Sequence, residues 1–364
     1  MTLAEVKFDC KYFKGTVPCK PNKQFNFTCP DCPEYRPTGK KILIIKLGAL
    51  GDVIRTTPLL VKYRQLYPDA HFTWVTLSPS ILPKEEIDII YALDAIAILN
   101  ISMAEYDIAI NLDKEEEACK LLSTVKSREK YGFTWKDGHI DVATPASQHK
   151  LLTGLFDQLS IANTKSYLEE IFEICHLEFN YEPYLINLNH TISDHWKELM
   201  QEKAGGKVIV GLNTGCGPRW NTRLWSDEAW MSVAEGLKEL GLFPVFLGGQ
   251  LEDSKNIRMS TQTDSYYPGH FSLEEFIALT NSCDVVITQV SMMMHIATAL
   301  EKKMILLNNI FNSYEFELYG RGQIVSPPTP CECFYGNTCK RGELSCMHDI
   351  LPETVVKAVA ESLN

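Results

Sequence analysis

The 364-residue sequence has no run approaching the roughly 20 consecutive apolar residues that a membrane helix needs, which sets aside a spanning segment. It has no surplus of basic residues either. With 35 Lys and Arg against 46 Asp and Glu the formal net charge is −11, the wrong sign for neutralising a nucleic-acid backbone. A small anionic ligand stays compatible with that balance, because a local pocket can be basic on an acidic protein. The opening stretch MTLAEVKFDCKYFKG has acidic and aromatic residues where a signal peptide has a basic start and an apolar block, so the expected location is the cytoplasm. No short repeat and no low-complexity tract interrupts an ordinary globular composition of 45% hydrophobic and 22% charged residues.

The length suits two domains of about 150 residues each. Residues 1–40 carry Cys, Pro, Lys and Asn without sustained periodicity and read as an irregular appendage. KKILIIKLGALGDVIRTTPLLVKYRQLYP then gives a buried-strand run, a Gly-containing turn and a helix expected from about Asp52 to Tyr67. HFTWVTL (71–77), AIAILN (95–100) and YDIAINL (106–112) are further strand candidates. From KVIVGLNTGC (207–216) strands and helices alternate again through MILLNN (304–309). Two Rossmann-like domains follow, residues 41–185 and 186–349, with a closing helix over 350–364 expected to pack back on the first. Such domains bind ligands beyond the carboxyl ends of their strands, which makes a cleft between the two the expected site.

Four segments carry candidate chemistry. In Lys46-Leu47-Gly48-Ala49-Leu50-Gly51-Asp52, Gly48 and Gly51 let the chain turn tightly and a ligand approach the backbone. Asp52 opens the helix, where it serves either as an N-cap or as a base that deprotonates an acceptor hydroxyl. Asp113, in the NLDKE stretch, is the alternative base. In GLNTGCGPRWNTRLW (211–225), Gly215 and Gly217 make a loop with exposed amides after a strand, Thr214 is a further donor-binding candidate there, and Arg219 and Arg223 precede a helix. That combination suits a diphosphate, against the alternative of a structural loop with solvated arginines. Glu252, after Gly248-Gly249, is placed to accept hydrogen bonds from ribose hydroxyls. Ser291 and His295 open a helix after a strand, again at a phosphate-favouring terminus.

The order and spacing of KILIIKLGALGDVIRTTPLL, YDIAINLDKE, GLNTGCGPRWNTRLW, VFLGGQLED, SLEEFIALTNSCDVVIT and MHIATAL resemble the family-9 glycosyltransferases, the ADP-heptose:lipopolysaccharide heptosyltransferases of GT-B fold, over about residues 41–350. The resemblance implies a sugar transfer with inversion, from a nucleotide-sugar donor (ADP-heptose) to a lipopolysaccharide-core or other surface-glycan acceptor, with no catalytic metal. It matches Asp52 to the general base, Arg223 to a Lys on the donor diphosphate, Glu252 to the ribose ligand and His295 to a His near the donor phosphates. Where the family has Asp-Thr-Gly, this chain has Val290-Ser291-Met292. That departure leaves room for a GT-B protein that binds a nucleotide sugar without transferring it. A hexose donor, a protein acceptor and a peripheral contact with the inner membrane also stay open.

Twelve cysteines call for an account in a compartment where disulfides are rare. Cys10, Cys19, Cys29 and Cys32 follow a C-x8-C-x9-C-x2-C spacing in a segment with too little apolar residue for a core of its own. Cys331, Cys333, Cys339 and Cys346 form a second group, C-x-C-x5-C-x6-C. Each group is a candidate structural zinc site, or iron, since thiolates accept both. Packing as small reduced hydrophobes is the alternative.

Overall fold

The computed structural model describes residues 1–364 apart from 220, 337, 343, 344 and 364. Trp220 of the GLNTGCGPRWNTRLW run and Asn364 of the expected closing helix therefore lie outside the described residues. The chain divides into two compact units, the first comprising Met1–Leu47, Leu59–Pro79 and Lys84–Ser147, the second Gly48–Pro58, Ser80–Pro83 and Gln148–Asn364.

The first unit holds six strands: β1 (Lys41–Ile45), β2 (His71–Thr76), β3 (Ile89–Ala92), β4 (Glu105–Asn111), β5 (Lys126–Lys136) and β6 (His139–Val142). They lie in the order β3-β2-β1-β4-β5-β6, parallel except for the β5–β6 hairpin. β1 is central and buried on both faces, so it reads as an unbroken Ile-Leu-Ile-Ile run rather than an alternation. One face of the sheet packs Leu43, Ile45, Val75 and Ala109 against Ile101, Ala118, Leu121 and Leu122.

AIAILN is not a strand. It lies in helix Ala95–Met103, because Asp94 caps the turn by accepting from the Ala97 amide at 2.7 Å. Ala97 and Ile101, one helical turn apart, face the core, while Ile96, Ile98 and Leu99 stay exposed. The single helix expected over 52–67 is two, Leu50–Ile54 and Pro58–Leu66. Pro58 lacks an N–H and disfavours a helical Thr57, so it starts a helix and does not continue one.

The second unit holds β7 (Ile209–Asn213), β8 (Phe243–Leu247), β9 (Val285–Gln289), β10 (Lys303–Leu307) and β11 (Gly322–Val325). All run parallel, in the order β11-β10-β9-β7-β8. Helix Asp227–Glu239 shows how its elements are fixed. The Ser226 hydroxyl accepts from the Ala229 amide, a cap worth about 1 kcal/mol. Trp230, Val233, Ala234 and Leu237 then form a fully buried stripe, with roughly 1.5–3 kcal/mol each for Val233 and Leu237. An aspartate at Val233 would break it.

Two expectations shift here. Helices Gln148–Leu155, Asp157–Ala162 and Tyr167–Ile174 cluster with the second unit, where Asn312 Nδ2 donates to Ser160 O and Asn163 O. The closing helix Pro352–Leu363 places Val355, Ala358 and Val359 in the second unit's core, beside Val233 and Val325, instead of on the first domain. Residues 177–189 form no helix or strand, and helix His190–Ala204, capped by Asn189, follows them.

Candidate active site

In the first unit Asp113 closes the end of β1. One carboxylate oxygen takes the Lys46 ammonium and the other the Leu47 amide, and the residue is 3% exposed. The alternative base is thus built into the frame of the sheet.

The remaining candidates other than the cysteines lie in the second unit. Gly48 follows β1, and helix Leu50–Ile54 carries Asp52 in its first turn. Its side chain is 35% exposed, and Oδ1 lies 2.8 Å from Arg55 Nη2. That guanidinium is shared: Nη1 reaches Glu315 Oε1, also at 2.8 Å, and its face lies 3.6 Å from the centre of the Tyr167 ring. Burial opposes the charge on Arg55, but Asp52 and Glu315 outweigh it and hold the guanidinium well above its usual pKa. Burial likewise opposes the charge on Glu315, and Arg55 with Lys150 overcomes it, keeping the carboxyl below its usual pKa.

Helix Met292–Ala299 packs on helix Leu50–Ile54. The contact is made by His295, whose ring presses on Gly51 and stacks over Tyr184 at 6.2 Å between centroids. Gly51 is where it is because no larger residue leaves room for the imidazole. Burial, aided by Arg55, pushes His295 down to about 3, so the ring is neutral in ordinary conditions. Its Nδ1 is buried with no partner among the described residues, as are both polar atoms of the Gln289 amide at the end of β9. Ser291 takes the N-cap position but turns its hydroxyl to Thr288 Oγ1 (3.1 Å) and Asn213 Nδ2 (3.4 Å), so it caps none of the first-turn amides.

The loops after β7, β8 and β9 meet around Asn213, which donates to Gly215 O at 2.8 Å and Thr288 Oγ1 at 3.0 Å. Glu252 packs so closely on Gly215 that a Cβ there would stand 2.4 Å from its Cδ. Glu252 Oε2 also accepts from the Gly249 amide at 3.0 Å. Thr214 is fully buried, its hydroxyl on Asn256 Oδ1 and its carbonyl on Lys255 Nζ. Arg219 is exposed, while Arg223 is only 7% exposed, its guanidinium donating to Val290 O and, at 2.6 Å, to Cys216 O. Burial lowers the Arg223 pKa and Arg219 adds to the effect, against an opposing pull from Cys216. Arg223 therefore ties the loop after β7 to the end of β9. Thr214, Gly215, Arg223, Glu252 and Ser291 gather around Asn213, while His295 faces Arg55 and Glu315; Asn213, Arg55 and Glu315 are residues that the sequence does not single out. An Arg three residues after Asp52 on a helix was a readable signal. Glu315 carried none.

None of the twelve cysteines is joined in a disulfide. Cys10, Cys19, Cys29 and Cys32 line one cavity of about 300 Å³. In the second group Cys331 Sγ accepts from the Cys333 amide at 3.3 Å, and Cys333 Sγ from the Lys340 amide at 3.1 Å. Among the described residues, no three His, Cys, Asp or Glu side chains are already gathered for a metal ion. No helix among them is long and apolar enough to cross a membrane.

A comparison with curated protein sequences finds no match. Solved structures do match. A glycosyltransferase family 9 protein of Veillonella parvula is 20% identical, with a TM-score of 0.68 over 89% of this chain and 97% of that one. ADP-heptose lps heptosyltransferase II of E. coli is 15% identical, with a TM-score of 0.62 over 89% and 98%. The iron-containing dodecameric heptosyltransferase TibC of E. coli, in complex with ADP-D-beta-D-heptose, is 10% identical, with a TM-score of 0.55 over 90% and 76%. The two parallel-dominated sheets thus have the GT-B architecture. The profile of glycosyltransferase family 9 (heptosyltransferase) matches residues 99–328, and the chain belongs to that family of glycosyltransferases.

Proposed function

We propose that this glycosyltransferase moves a heptose, with inversion, from ADP-heptose to a surface-glycan or lipopolysaccharide-core acceptor in the cytoplasm, with Asp52 as general base. One observation carries the reading: the half-exposed Asp52 carboxylate and the uncapped start of helix Met292–Ala299 are joined through the Gly51–His295 contact. Asp52 takes the proton of the acceptor hydroxyl as that oxygen attacks the anomeric carbon. The bond from that carbon to the diphosphate breaks on the opposite face, and ADP leaves with the electron pair. A single displacement inverts the centre. The developing charge on the diphosphate falls to the amide of Gly215, the first-turn amides after Ser291, and Arg219 and Arg223, with Thr214 holding the loop beneath them through Leu247 O and Asn256. Glu252 takes the ribose hydroxyls, and neutral His295 packs beside the phosphates. Among the two carboxylate candidates, exposure favours Asp52, since both Asp113 oxygens hold the end of β1. Ala49, not Asp52, takes the N-cap position of helix Leu50–Ile54, and Asp52→Asn keeps size while losing basicity, so turnover falls by about 10²–10⁴-fold with donor affinity unchanged. Product mass spectrometry and calorimetry with ADP check this; near-normal turnover would sink the assignment.

A second reading, a nucleotide-sugar-binding protein without transfer, is favoured by Val290-Ser291-Met292 and by the engagement of Arg223 with two backbone carbonyls. Donor binding with neither transfer nor hydrolysis would select it.

Both cysteine groups are further proposed as structural metal sites, zinc or iron, with no part in transfer. The cavity shared by the first four thiols supports the N-terminal one. Amide donation to Cys331 and Cys333, which suits thiolate sulfur, supports the second, as does the iron in TibC.

A further inference from the structure

Arg55 is the hub of a charge cluster that the transfer reaction as written leaves unused. Two carboxylates, Asp52 and Glu315, claim opposite nitrogens of one guanidinium at the same distance of 2.8 Å. They differ in setting. Asp52 is 35% exposed at the outer end, whereas Glu315 is 18% exposed and its second oxygen accepts from Tyr335 Oη at 3.1 Å. Tyr167 stacks on the guanidinium from the side, with the Lys150 ammonium 5.1 Å from the same ring. Arg55 thus has one orientation, fixed from the buried side.

An arginine paired with a single aspartate makes a poor neighbour for a base. It stabilises the carboxylate and so weakens its pull on a proton. A second carboxylate on the same guanidinium divides that field and leaves the cluster with a net negative charge.

We propose that Glu315 is a positioning residue of the transfer reaction: it anchors Arg55 and draws off part of its charge, so that Arg55 aims Asp52 without quenching its basicity. The inference rests on the reading of Asp52 as the base. The other groups facing Asp52 leave this balance in place. His295, on helix Met292–Ala299, is neutral, and burial pushes the Tyr184 phenol up, so it stays protonated. Lys150 is engaged with Glu170, and Glu317 faces Tyr184.

The test is the pH profile of kcat/KM for acceptor at saturating ADP-heptose in wild type, Glu315→Gln, Glu315→Asp and Asp52→Asn. In Glu315→Gln the acidic limb moves down by about one pH unit, as Arg55 falls wholly to Asp52. Plateau kcat drops with the weakened base, and donor KM stays put. Glu315→Asp, with the charge kept at shorter reach, lies between the two. If Glu315→Gln melts below the assay temperature, Tyr335→Phe loosens Glu315 and must move the limb the same way. An acidic limb that stays in place, whether or not the rate falls, overturns the proposal. Asp52→Asn separates the two failures. If it is inactive while the Glu315→Gln limb is unmoved, only this inference is lost; if it turns over normally, the base assignment falls as well.

Discussion

The imidazole of His295 presses on the α-carbon of Gly51, so that a Cβ built there would stand 2.5 Å from its Cδ2. Gly to Ala inside a helix ordinarily gains up to about 1 kcal/mol. Here the sign reverses, and Gly51→Ala costs about 1–3 kcal/mol through the forced shift of helix Met292–Ala299. Thermal denaturation of Gly51→Ala, His295→Ala and the double variant checks it. Coupling between the two substitutions is expected, and a stabilised single Gly51→Ala would contradict the contact.

His295 also sets a pH dependence. Buried and neutral, it binds its proton only near 3, while the unfolded chain binds one near 6.5. Between those values the unfolded state holds more protons, so stability falls as pH falls, by up to about 1.4 kcal/mol per pH unit from this residue. Replacing His295 with Gln removes that contribution. Melting temperatures of the two proteins across pH 4.5 to 7 should therefore converge toward acid, and parallel curves would show that His295 is not held neutral.

Arg223 has two duties that a pair of substitutions separates. Its loss unties Cys216 O from Val290 O and removes a cation from the proposed donor phosphates. Arg223→Ala should lower the melting temperature and weaken ADP binding by about 1.5–3 kcal/mol. Arg223→Lys restores the charge without the fork that spans two carbonyls, so it recovers more of the binding than of the stability. Equal recovery of both would leave no distinct phosphate role.

The N-terminal thiols predict a metal. Elemental analysis of the purified protein should find zinc or iron, and Cys29→Ser with Cys32→Ser should lose one site's share. That variant should become protease-sensitive before residue 40 while still transferring sugar, because metal binding supplies ordering free energy that packing there does not. Metal-free wild-type protein with a protease-resistant N-terminus would count decisively against the site.

Local signals carried much of the architecture into the sequence. The apolar run of β1, the Ser226 and Ser272 caps and the alternation after residue 207 each state their element within a few residues. AIAILN misleads because its apolar character is real but only Ala97 and Ile101 are buried; the deciding residue is the cap, Asp94. The β5–β6 hairpin turns at Asp137-Gly138, a two-residue pair whose signal is present in the sequence. What the sequence does not state is where distant segments dock. Helix Pro352–Leu363 is amphipathic wherever it packs, and nothing in Glu315 announces a partner in Arg55. Asp52, Glu252 and His295 could be named in advance because each follows a strand end, whereas the cluster that holds Asp52 is assembled from four separated stretches.

Arg55 and Glu315 are 260 positions apart. Closing so wide a loop costs little more free energy than closing one half as wide, about 0.6 kcal/mol per doubling, so the native state bears the contact easily. Kinetically the contact is expensive, because distant partners must be brought together before either is rewarded. During synthesis the Asp52 turn leaves the ribosome long before Glu315 does. Until residue 315 is folded in place, a nascent chain can complete β1 through β6 and still lack an oriented carboxylate.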